Sequence, residues 1–265
     1  MDLNLNGKVV VMTGGTAGIG KAAALEFARE GCTVAVVARS KEKLAAMKKE
    51  TDALGYSFEY ASADVADIPA MEAFAQALYQ KHGHIDVWVN NAGVAINRDC
   101  TEFTEEEYDR IMNTNLKSVF FCSRIAAKYM KLQKTGGVIL NASSFVVNIP
   151  HANGAVYAAS KAGVSSLTRT FAACLAPYNI RVLGYIPGMI VSDMSSDFIE
   201  QNREKFVRDI SMHRLGVPED LAKPIVFMAS DAAGYMTGFD IEITGGKFAV
   251  QACDYGWKRL EEIGE

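Results

Sequence analysis

The chain has 265 residues, 49% of them apolar, and a net charge of −4. That size and apolar content predict one α/β domain with its own core and exclude a disordered chain. The acidic balance offers nothing to attract nucleic acid or an anionic membrane, and no apolar run approaches the ~20 residues that span a bilayer.

Taken in chain order, short Val/Ile-rich runs alternate with helical patterns. Residues 9–12 predict a buried strand and 18–30 a helix with Ala, Leu and Phe on one face. Residues 33–37 and 57–61 predict strands, with helices at 41–54 and 69–81. A fourth strand falls at 85–89, a long helical stretch at 104–132, a fifth strand at 138–140 and another long helix at 154–176. Strands six and seven fall at 180–186 and 241–244. Strand, helix, strand, repeated, predicts a single-domain, Rossmann-like doubly wound parallel sheet of about seven strands with helices on both faces. Residues 188–215 break the rhythm as a long insertion, which predicts a lid over a site.

The N-terminus lacks the basic-then-apolar pattern of a signal peptide. With a membrane and nucleic acid excluded, a cytoplasmic protein with a small-molecule substrate is expected. The five cysteines, Cys32, Cys100, Cys122, Cys174 and Cys253, form no C-x-x-C pair. Reduced thiols, mostly buried, and no metal site are expected.

The first strand runs directly into Thr13-Gly14-Gly15-Thr16-Ala17-Gly18-Ile19-Gly20, and a helix follows. Glycines there let the backbone approach a pyrophosphate, and the helix N-terminus offers N–H groups to the anion. A tight turn with no ligand is the plainer alternative. An acidic residue about 20 positions on would meet the ribose 2′-hydroxyl of NAD. Counting from Gly18 reaches Ala38 and then Arg39, which can pair with a 2′-phosphate. NADP is therefore expected ahead of NAD, with Lys43 and Lys21 as lesser helpers and Asp64-Val65 near the adenine.

Tyr157 and Lys161 lie four apart in a helical pattern and so share a face. An ammonium beside a phenol lowers the phenol's pKa from ~10 and makes it a proton donor and acceptor nearer neutrality. Ser144, just after the fifth strand, can hold a substrate oxygen beside it. A surface Tyr/Lys pair is the plainer reading of that spacing alone.

Taken with Asn90-Asn91-Ala92-Gly93, Asn113-Thr114-Asn115, Pro187-Gly188, the run from Arg214 to Asp220, and Thr237-Gly238, the sequence resembles the short-chain dehydrogenase/reductase family over essentially its whole length. The resemblance implies that Tyr157 moves the proton, that Lys161 binds the nicotinamide ribose and tunes Tyr157, and that Ser144 positions the substrate oxygen. It implies that Asn115 holds a water behind Lys161. It places Gly14, Thr16, Gly18, Ile19, Gly20, Asn91, Ala92, Gly93, Pro187, Gly188, Ile190 and Ser192 on the cofactor, and Asn90 in the sheet beside it. It also implies a homotetramer or dimer, with the helices at 104–132 and 154–176 at one interface. Leu183-Gly184-Tyr185 and Thr244 depart from the family pattern, and residues 247–265 form a longer tail.

The substrate pocket is expected from 94–98, 145–151 and 189–215, with Val94, Phe145, His151, Met189 and Met194 as contacts. Apolar residues in the insertion suit a hydrophobic hydroxysteroid or bile acid, or simply pack the lid. A 3-oxoacyl thioester and a sugar or polyol are the alternative substrates. A non-catalytic NADP-sensing regulator is the alternative of another class.

Overall fold

In the computed structural model, which describes residues 2–192, 199, 202–247 and 249–263, seven strands form one all-parallel sheet. They are β1 (Val9–Thr13), β2 (Thr33–Ala38), β3 (Phe58–Ser62), β4 (Val87–Asn90), β5 (Gly137–Ala142), β6 (Ile180–Pro187) and β7 (Asp240–Ile243). Their spatial order is β3-β2-β1-β4-β5-β6-β7. Strand residues point alternately to the two faces. Val10 and Met12 therefore enter one core with Phe27, Leu221 and Ile225, while Val9 and Val11 enter the other with Met71, Ile125 and Met130.

The helices that cover these faces are α1 (Gly18–Arg29), α2 (Lys41–Ala53), α3 (Ile68–His82), α4 (Glu105–Met112), α5 (Ser118–Leu132), α6 (Ala155–Leu175) and α8 (Pro218–Ala229). Two more, α7 (Arg203–Arg208) and α9 (Tyr255–Ile263), fall in the 188–215 insertion and the tail. On α9, Trp257 Nε1 donates to the Ser211 carbonyl at 2.9 Å, and its ring stacks on His213 at 4.7 Å. The tail is thus tied to the end of the insertion. No helix among the described residues is long and apolar enough to cross a membrane.

Most predicted elements recur within two residues. The stretch at 104–132 does not stay one α-helix, because a π-helical turn, Asn113–Lys117, separates α4 from α5. The cysteines also differ from expectation. Cys32 and Cys122 are buried, but Cys100 and Cys174 are exposed.

The chain winds outward from β1 through β2 to β3, then returns across β1 to place β4 on its other side. Loops leaving β1 and β4 therefore diverge, opening a crevice at the C-terminal edge of the sheet.

Candidate active site

A cleft of about 770 Å³ occupies that crevice. Its floor is the turn between β1 and α1. Gly14 holds φ +67°, where a Cβ would stand 3.0 Å from the Ala92 α-carbon, and a Cβ on Gly20 would stand 2.4 Å from both Asn91 Nδ2 and the Gly14 oxygen. Only glycine permits such an approach. Helix α1 begins with no side-chain cap and no acidic residue in its first turn. Its first N–H groups and positive dipole end therefore suit an anion such as a pyrophosphate.

The turn is held by a chain of hydrogen bonds. Thr13 Oγ1 donates to the Val89 oxygen (3.1 Å) and accepts from the backbone nitrogens of Asn91 (2.9 Å) and Ala92 (3.1 Å). Asn91 Nδ2 faces the oxygens of Thr13 and Gly14 at 3.2 and 3.3 Å. Tyr185, fully buried on β6, donates its hydroxyl to Asn91 Oδ1 at 2.9 Å. Beneath them, Asn90 joins Trp88, Ser123 and Asn141 in a buried network between β4, β5 and α5.

Gly14, Thr16, Gly18, Ile19 and Gly20 line the cleft on the turn. Arg39, Asp64 and Val65 line it at the ends of β2 and β3. Arg39 is exposed and stands 3.8 Å from the Asp64 carboxylate. Ser40 caps α2 by accepting from the Lys43 nitrogen, so Arg39, Ser40 and Lys43 share this corner. A guanidinium, a hydroxyl and an ammonium there fit a 2′-phosphate. Lys21 instead pairs with Glu50 at 2.7 Å.

Asn91, Ala92, Gly93 and Val94 form the wall after β4, and Pro187 and Ser192 the wall beyond β6. Tyr157 and Lys161 face the cleft from α6. Ser144 is buried just past β5, where its hydroxyl favours the Tyr157 phenolate. Lys161 is buried and donates to the Ala142 oxygen at 2.7 Å, with Nζ 5.8 Å from the Tyr157 ring centre. Burial pushes its ammonium down to about 8.

The phenol does not behave as its spacing from Lys161 suggests. Burial raises the Tyr157 pKa, and the opposing influence is the Ser144 hydroxyl rather than the lysine. Desolvation of the anion outweighs an ammonium already engaged by a carbonyl.

Asn115 sits on the π-helical turn and is fully buried. Its amide clamps Val94 by accepting from the backbone nitrogen and donating to the carbonyl, both at 2.8 Å, and its Nδ2 also donates to Ser160 Oγ at 3.2 Å. A Cβ on Gly93 would lie 3.3 Å from Asn115 Oδ1 and 3.6 Å from Lys161 Nζ. Tyr157 and Lys161 thus line one end of the cleft, and Ser144 and Asn115 are buried behind them.

Several expected contacts lie elsewhere. Ile190 packs into the core and bridges to Gly216. Gly188 sits with its backbone against Thr244. Met189 joins a small cluster with Ile199, Phe206, Ile210 and Leu215, against which Phe145 packs. His151 is exposed and hydrogen-bonds Asn153 at 2.5 Å, away from the cleft wall. Met194 lies outside the described residues. Tyr185, Thr114 and Ser143 line the cleft without having been expected there.

A family model described as short chain dehydrogenase matches residues 8–203. A 3-oxoacyl-[acyl-carrier-protein] reductase of Thermotoga maritima is 40% identical over 92% of this chain and 99% of its own length. A 2-dehydro-3-deoxy-D-gluconate 5-dehydrogenase of Escherichia coli is 37% identical over 93% and 97%. Among solved structures, one described as an NAD(P) dependent gluconate 5-dehydrogenase from Beutenbergia cavernae, with bound NADP, superposes with a TM-score of 0.89 at 30% identity. It covers 94% of this chain and 100% of that one.

Proposed function

The chain belongs to the short-chain dehydrogenase/reductase family, NAD(P)-dependent oxidoreductases of CH–OH and C=O groups, and on that premise we propose that it uses NADP(H) to interconvert a secondary alcohol and a ketone. The observation that carries this is that Tyr157 and Lys161 line one end of the cleft, with Ser144 and Asn115 buried behind them. NADP, when bound, supplies or takes up the hydride. The remaining chemistry falls to the protein. The Tyr157 hydroxyl gives a proton to the substrate oxygen in reduction and removes it in oxidation. Ser144 holds that oxygen beside the phenol and steadies its charge. Lys161 provides the positive charge behind Tyr157, and Asn115 fixes the loop at Val94 that closes this end. A regulator that merely senses NADP has no need of this set.

NADP rather than NAD is supported by Arg39 with Ser40 and Lys43 at the end of β2. For the substrate, the relatives favour a 3-oxoacyl thioester or a sugar-type compound over the hydroxysteroid expected from apolar residues of the insertion. The packing of Met189, Phe206 and Ile210 into a cluster agrees with that. We take residues 188–215 as the cover of the substrate end, and the chain as a cytoplasmic homo-oligomer. The aromatic group Phe120, Phe121 and Phe171 on α5 and α6, with Phe120 exposed, supports an interface there.

The test is initial rates with NADPH and NADH over an acetoacetyl thioester, a keto-sugar acid and a keto-steroid. Turnover with NADPH of either of the first two is expected. In Tyr157→Phe, NADPH binding should persist while turnover falls about 10²- to 10⁴-fold. Turnover of that variant near the wild-type rate would end the assignment.

A further inference from the structure

Ser160 lies on α6 between Tyr157 and Lys161, next to the lysine, and is fully buried. Its hydroxyl donates to the Tyr157 carbonyl at 2.7 Å, a bond back to the preceding turn that helical serines commonly make. The second bond is less ordinary. The same oxygen accepts from Asn115 Nδ2 at 3.2 Å, across 45 residues of chain. The Asn115 amide has little choice of direction. Val94 needs an acceptor for its N–H and a donor for its carbonyl, and the amide serves both at 2.8 Å. That fixes which way the amide points and leaves one amide hydrogen, which goes to Ser160. A directed chain of hydrogen bonds therefore runs from the cleft wall at Val94, through the π-helical turn, to the backbone of Tyr157.

We propose that Ser160 is a positioning residue for the proton transfer: its hydroxyl passes the fixed position of Val94 and Asn115 to the helical turn that carries Tyr157 and Lys161. This rests on the oxidoreductase reading of the site. Ser160 does not line the cleft, so it acts through its neighbours. Apolar packing is non-directional, whereas a hydrogen bond weakens steeply as its angle closes. The chain from Val94 therefore sets the rotation of this turn about the helix axis more sharply than packing alone. Proton transfer between Tyr157 and a substrate oxygen depends on that rotation, because the reacting groups must be held within hydrogen-bond reach. Cofactor binding depends on it much less, since the glycine turn and the corner at Arg39 are built from β1, α1 and β2. Removing the hydroxyl strands an amide hydrogen of the buried Asn115, which is unfavourable, and the amide and the turn resettle.

The experiment compares Ser160→Ala and Ser160→Thr with wild type in NADPH-dependent reduction of whichever ketone wild type reduces fastest among an acetoacetyl thioester, a keto-sugar acid and a keto-steroid. In Ser160→Ala kcat should fall about tenfold, as for a reacting group misplaced by less than an ångström, while KM for the ketone and the NADPH dissociation constant stay within about twofold. Ser160→Thr keeps the hydroxyl and should recover most of kcat. If its added methyl group abolishes NADPH binding, Ser160→Cys is read in its place, and its weakly bonding thiol should leave kcat between wild type and Ser160→Ala. The loss should also depend on Asn115. Placed in Asn115→Ala and read in single turnovers, Ser160→Ala should cost less than about a further twofold, because the chain is already cut. A serine that only packs α6 would raise KM, loosen NADPH and lower kcat together, or cost the same factor with and without Asn115. Either result overturns the inference, as does a kcat in Ser160→Ala within about twofold of wild type. If wild type binds NADPH but reduces none of the three ketones, the oxidoreductase reading itself falls, and the inference with it.

Discussion

Replacing Tyr185 by Phe removes one oxygen from the wall of the cleft and leaves the ring in place. The hydroxyl lost is the donor to Asn91 Oδ1 at 2.9 Å, and Asn91 in turn faces the Thr13 and Gly14 oxygens of the turn. A hydrogen bond contributes about 1 kcal/mol net, and stranding a buried acceptor costs about 1–3 kcal/mol. Asn91 is only half-buried, so water can partly replace the donor. The expected loss is therefore near the low end, about 1–1.5 kcal/mol. For a domain of this size that corresponds to a Tm lower by roughly 2–6 °C. The glycine turn also loses a tether, so the NADPH dissociation constant should rise by roughly three- to tenfold, each tenfold being about 1.4 kcal/mol. Urea unfolding gives the first quantity, with the m-value expected to be unchanged, and fluorescence titration gives the second. If stability shifts by less than about 0.3 kcal/mol, well below the net value of one hydrogen bond, and NADPH affinity does not change, Tyr185 does not brace the turn.

Arg39→Ala should weaken NADPH binding while leaving NADH binding little changed. Because Arg39 is exposed, the effect should be about 1–2 kcal/mol rather than that of a buried pair; equal loss for both cofactors would remove the 2′-phosphate assignment. For Lys161, the folded pKa of about 8 lies below the ~10.4 of the unfolded chain. The unfolded state then binds more protons between those values, so this residue's contribution to stability rises with pH from about 8 to 10. Wild type should gain on Lys161→Met across that window, by at most about 3 kcal/mol, and a pH-independent difference would refute the shift. Asp220 has the same sign at the acid end of the scale. Paired hydrogen bonds from Arg214, at 2.7 and 2.8 Å, hold its carboxyl at about 2. Its stabilisation is present above about pH 4 and is lost as pH falls toward 2. The pair is part-exposed, so Asp220→Asn should flatten the acid limb by about 1 kcal/mol or less.

Features carried by local pattern were legible in the sequence. Val9 to Thr13 followed by a glycine turn and a helix pointed to the start of a parallel sheet with its crevice, and the spacing of Tyr157 and Lys161 put them on one helical face. What escaped depends on distant chain. Tyr185 reads as one more core aromatic, because its partner Asn91 is 94 residues away. The π-helical turn at Asn113–Lys117 inserts one residue into an otherwise continuous helical period, and its consequence, Asn115 clamped on Val94, needs the fold to be visible. The Tyr157 acidity went astray for the same reason. The spacing gives the lysine's place but not how much water either group has lost.

The two tryptophans give the chain a built-in pair of optical labels. Trp88 is sealed in the sheet, fixed to Asn90, and its emission should stay blue and constant while the fold holds. Trp257 lies at the surface, stacked on His213 and bonded to Ser211 at the end of the insertion. Movement of that end on substrate entry would alter one emitter and not the other. Subtracting the spectrum of a Trp257→Phe protein would then read the motion of the insertion in real time, with no dye attached.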